Sequence, residues 1–278
     1  SIVRVERKKF IFQNLPLDKS HFITGGRMDK KKVSIFMLTH NAPLYVLKSI
    51  LSVKRRTVGV DYELIIVDNN SKKLTKNILE KLDRHAVRRR WIDKIVYNPQ
   101  NSLFAGGNNL ASTMASPTSS YYLLLNSDIK IKDKTWLADL LKIHPKEGGI
   151  SSYGAVLAEP RRADGYCMLI DSWLYQKYKL DEAYEWWWSI TKIQGEVLSE
   201  NRKIVSVIYH ENKLHHYGGK SGKDYRDARG MDIDIKDVKE WFDKGSVEFI
   251  DHLEPLTCTS YISHKWRSLK RLLKNISS

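Results

Sequence analysis

Between residues 33 and 130 the chain alternates short apolar runs with amphipathic stretches. Val33–Leu38, Glu63–Asp68, Lys94–Tyr97 and Tyr121–Leu125 are rich in strand formers. Pro43–Val53 places Leu44, Leu47, Ile50 and Leu51 at three- and four-residue spacing. Lys73–Arg84 does the same with Leu74, Ile78, Leu79 and Leu82. Both predict helices with one apolar face. A glycine turn at Gly106–Gly107 leads into a short predicted helix over Asn108–Ala115. Strands that are apolar on both faces, alternating with helices, predict a mostly parallel sheet covered on both sides. The fold class is therefore α/β. The second half alternates less regularly. Tyr166–Ile170 and Ile204–Tyr209 read as strands, Ile235–Phe242 as a helix, and 264–278 as a short basic helix.

In parallel sheets ligands bind beyond the carboxyl ends of the strands. Three ends carry polar groups: Thr39-His40-Asn41, Asp68-Asn69-Asn70-Ser71 and Asn126-Ser127-Asp128. Each has a plain role in turns and helix caps. Together they form a candidate site in one half-chain. A carboxylate at such an edge suits Mg²⁺ or Mn²⁺, which bind oxygen and take part of their ligand shell from a diphosphate.

Composition narrows the class. Of 278 residues, 42% are hydrophobic and 28% charged, which excludes disordered and fibrous chains. The two cysteines, Cys167 and Cys258, exclude a disulfide scaffold and a multi-cysteine zinc site, and they suit a reducing compartment. No apolar run approaches the roughly 20 residues of a membrane span. Ser1–Phe12 is basic without a long apolar core, so it does not read as a secretory signal. The net charge of +15 is unevenly placed. Residues 1–32 hold nine basic and three acidic side chains, and 264–278 hold five basic and none acidic. Such an excess suits nucleic acid, an anionic membrane or a phosphate-rich ligand.

Five segments, in order, carry a family resemblance. They are Val33–Asn41, Ile65–Ser71, Asn101–Asn109, Leu123–Asp128 and His216–Ser221. Ile65–Ser71 is similar to the strand end "VVDNNS", Asn101–Asn109 to the loop "N-x-G-F-A-G-G-N-N", and Leu123–Asp128 to the "LLNSD" form of the DXD element. Over residues 33–221 the chain resembles the family-2 inverting glycosyltransferases of GT-A fold. More narrowly, it is similar to bacterial rhamnosyl- and galactosyl-type transferases that build surface polysaccharides.

The resemblance implies a Rossmann-like, mostly parallel sheet flanked by helices, with a C-terminal helical extension. It implies transfer of a sugar from a UDP- or dTDP-sugar to a hydroxyl of a glycan or lipid-linked glycan. Thr39, Asn41, Asp68, Asn70, Asn101, Gly106, Gly107 and Asn126 would bind the nucleotide, with Asp68 accepting from the base. Asp128 would hold Mn²⁺ or Mg²⁺, joined by His216, which the Gly-Gly-x-Ser spacing favours over His215. Asp164, Gly165 and Trp187 would meet the acceptor, and Arg161 and Arg162 suit a phosphate on it.

An inverting transfer also needs a general base. Here the chain departs from the family. Asp181-Glu182 match the first acidic pair of "F-D-E…E-D-x-D", but the later pair is absent. Glu185 is the first choice, then Glu182 and Asp181. The same acids suit the cap of a helix starting near Tyr184. In a helix, the side chains of Trp186-Trp187-Trp188 point about 100° apart, so all three cannot share one core.

The expected organisation is a basic extension (1–32), a nucleotide-sugar half (33–130), an acceptor half (131–225) and a C-terminal helical region (226–278). In 264–278, Trp266, Leu269, Leu272, Leu273 and Ile276 share one side of a helix whose other side is basic. Such a helix suits an anionic membrane surface, and equally suits packing its apolar stripe on the domain with its cations in water; on the first reading the protein is a cytoplasmic enzyme peripheral to the inner face of the cell membrane. Arg84–Arg90 is a further basic patch, of the kind that is usually solvated. The competing readings are a non-catalytic nucleotide-sugar-binding protein and a basic nucleic-acid-binding protein. The sequence carries no nucleic-acid recognition motif.

Overall fold

All four apolar runs of the first half become strands in the computed structural model, which describes residues 32–84, 90–220 and 228–253. These lie in a unit spanning Lys31–Ser278. Most of the expected basic extension, residues 85–89 of the basic patch, Ser221, Cys258 and the 264–278 helix fall outside the described residues.

The elements follow in chain order. They are β1 (Lys32–Thr39), α1 (Pro43–Arg56), β2 (Tyr62–Asn69), α2 (Lys73–Arg84), β3 (Lys94–Asn98), α3 (Leu103–Thr113) and β4 (Ser119–Leu125). Next come β5 (Ile129–Ile131), α4 (Trp136–Lys142), β6 (Gly149–Tyr153), β7 (Ala155–Val156), β8 (Arg162–Ala163) and β9 (Cys167–Asp171). Last are α5 (Ser172–Tyr178), α6 (Trp187–Ser199), β10 (Lys203–Val207), β11 (Leu214–His216), α7 (Ile235–Glu240) and β12 (Glu248–Ile250). The central sheet has the order β12-β10-β6-β9-β4-β1-β2-β3. Its strands run parallel except β9, which is antiparallel to both β4 and β6. This is the mostly parallel, helix-flanked sheet that the resemblance implies.

Alternation along the strands builds a core on each face. Ile35, Met37, Leu64 and Ile66 point to one side, with Val46, Ile50 and Val53 of α1. Phe36, Ile65 and Val67 point to the other, with Ile190, Ile193 and Val197 of α6. The two predicted helices form, but their buried faces differ from the expected ones. Leu44 is 65% exposed and Leu74 64% exposed. Both lie in a first turn, where the helix has just left a strand end, and α1 buries Val46, Ser49, Ile50 and Val53 instead.

The buried Glu63 carboxylate is paired. Glu63 accepts from Ser34 Oγ at 2.6 Å and Ser116 N at 2.6 Å, and pairs with Lys94 at 3.0 Å. Burial opposes its charge, but these donors and Lys32 outweigh burial and hold its carboxyl below the ordinary value. The region beyond 226 was expected to be helical; it also contributes β12, which extends the central sheet beside β10. The expected boundary at residue 130 falls inside β5.

Candidate active site

The sheet order places a topological switch at β1. The chain proceeds from β1 to β2 and β3 on one side, then crosses back to β4 on the other. The loops after β1 and β4 diverge there and open a crevice. Thr39, Asn69, Asn101, Phe104 and Asn126 line a cavity of about 60 Å³ at this point. A larger cavity of about 310 Å³ continues from it, sharing Phe104, Asn126 and Trp186. Its walls carry Asp128, His216, Asp164, Gly165 and Trp187.

Long-range pairing brings Asp128 and His216 together. Asp128 lies just before β5, and β11 pairs antiparallel to β5 with His216 opposite Ile129. Tyr217 N donates to Asp128 O at 3.0 Å, and Lys220 N approaches Asp128 Oδ2 at 3.3 Å. Gly218 and Gly219, at φ 69° and 61°, fold the chain back so that both amides reach one residue. His216 Nε2 lies 3.2 Å from Asp128 Oδ1, yet both atoms are buried and lack a hydrogen-bond partner among the described residues. Burial opposes the Asp128 charge, but the His216 imidazole and the Lys220 N–H outweigh it and hold the carboxyl below its ordinary value.

Two facing ligand atoms that, among the described residues, have only each other as partner could share a cation. Among the described residues no group of three or more His, Cys, Asp or Glu side chains converges. The pair offers one carboxylate oxygen and one imidazole nitrogen, so a cation held there would need further ligands from elsewhere.

Tyr166 supports this pair. Its ring packs 4.3 Å from the His216 ring, and its hydroxyl lies 2.6 Å from His210 Nε2. Gly154, at φ 102°, leaves room for it, since a Cβ there would lie 2.2 Å from Tyr166 Oη. Gly154→Ala is expected to destabilise the fold by about 1–3 kcal/mol through overpacking and backbone strain. A lower midpoint of denaturant unfolding with an unchanged slope would register this loss.

The nucleotide-binding expectations divide. Thr39, Asn101 and Asn126 line the first cavity. Asp68 is 0% exposed, and its carboxylate accepts from Thr39 Oγ1 at 3.0 Å and Ser71 N at 3.2 Å. It orders the loop after β2 and does not line either cavity. Asn41 binds Lys72 N at 2.9 Å through Oδ1, which ties the loops after β1 and β2 together. Asn70 is exposed, in a left-handed turn. Gly106 and Gly107 form no turn; they lie inside α3, which begins at Leu103, five residues before the expected helix. A Cβ on Gly107 would lie 2.9 Å from Leu38 and Asn69, so this glycine lets α3 seat on β1 and β2.

Each of the three candidate bases has a partner. Glu185 is fastened to Arg229 through the backbone N–H at 2.8 Å and the guanidinium at 2.8 and 2.9 Å. Partial burial opposes its charge, but Arg229 outweighs it and holds the carboxyl below its ordinary value. Glu182 accepts from Asn109 at 2.8 Å, and Asp181 pairs with Lys192 at 2.5 Å. None of the three lines the described cavities. The nearby helix starts at Trp187 rather than near Tyr184.

Against known proteins, residues 34–210 match the model of the family described as "Glycosyl transferase family 2". The chain belongs to glycosyl transferase family 2. Its fold is GT-A. No curated protein matches it. The mannosyltransferase PcManGT from Pyrobaculum calidifontis, solved with GDP-Man and Mn²⁺, is similar over 63% of this chain and 54% of its own, at 12% identity and TM-score 0.53. S. aureus TarS 1-349 is similar over 55% of this chain and 51% of its own, at 17% identity and TM-score 0.43. Its complex with UDP-GlcNAc is similar over 54% and 48%, at 16% identity and TM-score 0.42. The family-2 chain thus spans about half the length of these TarS structures.

Sequence reasoning did not assign Phe104, Trp186 and Tyr166 to the site, although all three line it. Phe104 stands inside a motif the sequence displays, and Trp186 begins the conspicuous triplet. Tyr166 carries no such signal, because its place depends on Gly154 and β11.

Proposed function

We propose that this family-2 enzyme transfers a sugar from a UDP- or dTDP-sugar to a hydroxyl of a glycan or lipid-linked glycan, with inversion, in polysaccharide biosynthesis. The observation that carries the reading is the Asp128–His216 pair. Its two facing atoms lie 3.2 Å apart with no other side-chain partner among the described residues, in a cavity continuous with the switch-point crevice. Asp128 and His216 would hold Mn²⁺ or Mg²⁺ against the diphosphate. When bound, such a cation stabilises the charge that develops on the departing nucleoside diphosphate. The likeness in fold to PcManGT, solved with GDP-Man and Mn²⁺, supports a nucleotide sugar and a divalent cation as ligand classes.

The chain's own residues do the rest. Thr39, Asn101 and Asn126 offer hydroxyl and amide groups to the nucleotide end of the cleft. Gly165 and the 41%-exposed Trp187 form the acceptor end. Trp187→Ala is expected to raise the acceptor KM about tenfold and leave nucleotide affinity unchanged. Initial rates over an acceptor series, beside calorimetry with UDP, would separate the two effects. No helix of the described residues is long and apolar enough to cross a membrane. The basic end segments would bring the enzyme to an anionic surface.

Thermal-shift measurements with UDP, dTDP and GDP, with and without Mn²⁺, test the reading. A ligand at a hundred times its Kd stabilises the native state by about 2.7 kcal/mol. A shift with UDP or dTDP that depends on Mn²⁺ is expected. Absence of any shift across the panel would overturn the proposal.

A further inference from the structure

Attack of an acceptor hydroxyl on an anomeric carbon requires a group to take its proton. The three carboxylates near the start of α6 are engaged elsewhere: Glu185 by Arg229, Asp181 by Lys192 and Glu182 by Asn109. The larger cavity itself is lined by two carboxylates, Asp128 and Asp164. Asp128 faces His216. Asp164 stands at the acceptor end, and it also lines the adjoining cavity of about 280 Å³ with Arg162, Trp187 and Thr191. We propose that Asp164 is the general base of the transfer. This rests on the inverting reading above.

The support of Asp164 is stiff, as a base requires. It follows β8 and precedes the turn into β9. Its N–H donates to Gly154 O at 2.9 Å, and its carbonyl accepts from Ser152 Oγ at 2.7 Å. The preceding residue, Ala163, is held on both sides by Gln194 of α6, at 2.9 and 3.1 Å. Among the described residues no cation forms an ion pair with the Asp164 carboxylate. Arg162 turns away, donating to Pro160 O at 2.9 Å with its guanidinium 5.3 Å over the Trp188 ring. Burial raises the affinity of Asp164 for a proton above its ordinary value, despite His216, the Gly165 and Tyr166 N–H groups and Arg162.

The step balances. The Asp164 carboxylate takes the hydroxyl proton as that oxygen forms a bond to the anomeric carbon. The bond from that carbon to the diphosphate oxygen breaks, and its electron pair leaves with the nucleoside diphosphate. Asp164 then returns its proton to water.

The test compares Asp164→Asn and Glu185→Gln with the native chain. It reads nucleotide binding, transfer to a hydroxyl acceptor, product configuration, and transfer to azide, an anion that needs no deprotonation. Asp164→Asn is expected to bind UDP with Mn²⁺ normally, lose hydroxyl transfer by at least about a hundredfold and still form the glycosyl azide. Glu185→Gln is expected to stay within about threefold of the native rate. Azide transfer shows that the variant is folded and activates its donor, a result that a merely structural role would not give. Undiminished hydroxyl transfer by Asp164→Asn, with an inverting native enzyme, overturns the base assignment alone. Loss of azide transfer together with hydroxyl transfer overturns it too. A native enzyme that retains configuration, or transfers nothing, overturns the inverting reading and the base with it.

Discussion

Replacing Asp128 by alanine is expected to lower sugar transfer by about a thousandfold, with the unfolding midpoint little changed. The size follows from the role. Groups aimed at charge that develops in the transition state cost about 10²–10³ in kcat when removed. Asp128 is 2% exposed at the floor of the cavity, so water cannot substitute well for it. Its backbone carbonyl would still accept from Tyr217 N, which preserves the β5–β11 turn in the variant. His216→Ala is expected to lose less, about 10–100-fold, because the carboxylate stays in place. Initial rates of nucleotide release from UDP- and dTDP-sugars, with Mn²⁺ varied, check both. If Asp128→Ala kept the full rate, the proposed use of the Asp128–His216 pair would be wrong. The expected pattern is a lost Mn²⁺ dependence of nucleotide binding as well as a lost rate.

The parts of the fold that announce themselves do so through local pattern. β1, β2 and β4 are runs buried on both faces, and their polar ends fall beside the crevice. β6 shows no such pattern because Gly149, Ser151 and Ser152 take the places of apolar residues. These serines are buried with hydrogen-bond partners: Ser151 donates to Leu140 O and Ser152 to Asp164 O. The start of α3 is hidden by its two glycines, whose helical role depends on Leu38 and Asn69 far away in sequence. The site shows the same division. Asp128 and His216 stand in motifs, but their meeting requires the β5–β11 pairing. The carboxylates at 181, 182 and 185 suit a base by position along the chain, yet each has a partner that sequence does not reveal. Asp68 reads as a ligand because it ends a strand; its bonds to Thr39 and Ser71 are not visible in the sequence.

The largest stability effect is expected at Lys213, next to the site without touching its cavities. Lys213 is 1% exposed, and its ammonium reaches Asp139 at 2.9 Å, Asp133 at 3.1 Å and Thr135 Oγ1 at 3.3 Å. Removing one partner of a buried pair costs about 3–5 kcal/mol. Lys213→Met keeps most of the volume and leaves Asp139 short of a cation. A loss of about 3 kcal/mol is expected, at the low end of that range, because Asp133 is partly exposed and Lys142 still reaches Asp139 at 2.9 Å. Adding Asp139→Asn should recover part of it, since the stranded charge is gone. The effect has a pH signature. Burial opposes the Asp139 charge, but Lys142, Thr135 and Lys213 outweigh it and lower its pKa to about 2. A depressed carboxyl contributes stability above its unfolded value of about 4, and that contribution is lost as pH falls toward 2. In Lys213→Met the native pKa moves back up, so less stability is lost on acidification. The difference between native and variant should therefore be full above pH 4 and shrink between about 4 and 2. Urea unfolding across that range measures it, and a difference independent of pH would contradict the pairing. Lys213 also immediately precedes β11. Loosening it should therefore reduce sugar transfer at neutral pH through His216, while acceptor affinity at Trp187 stays unchanged.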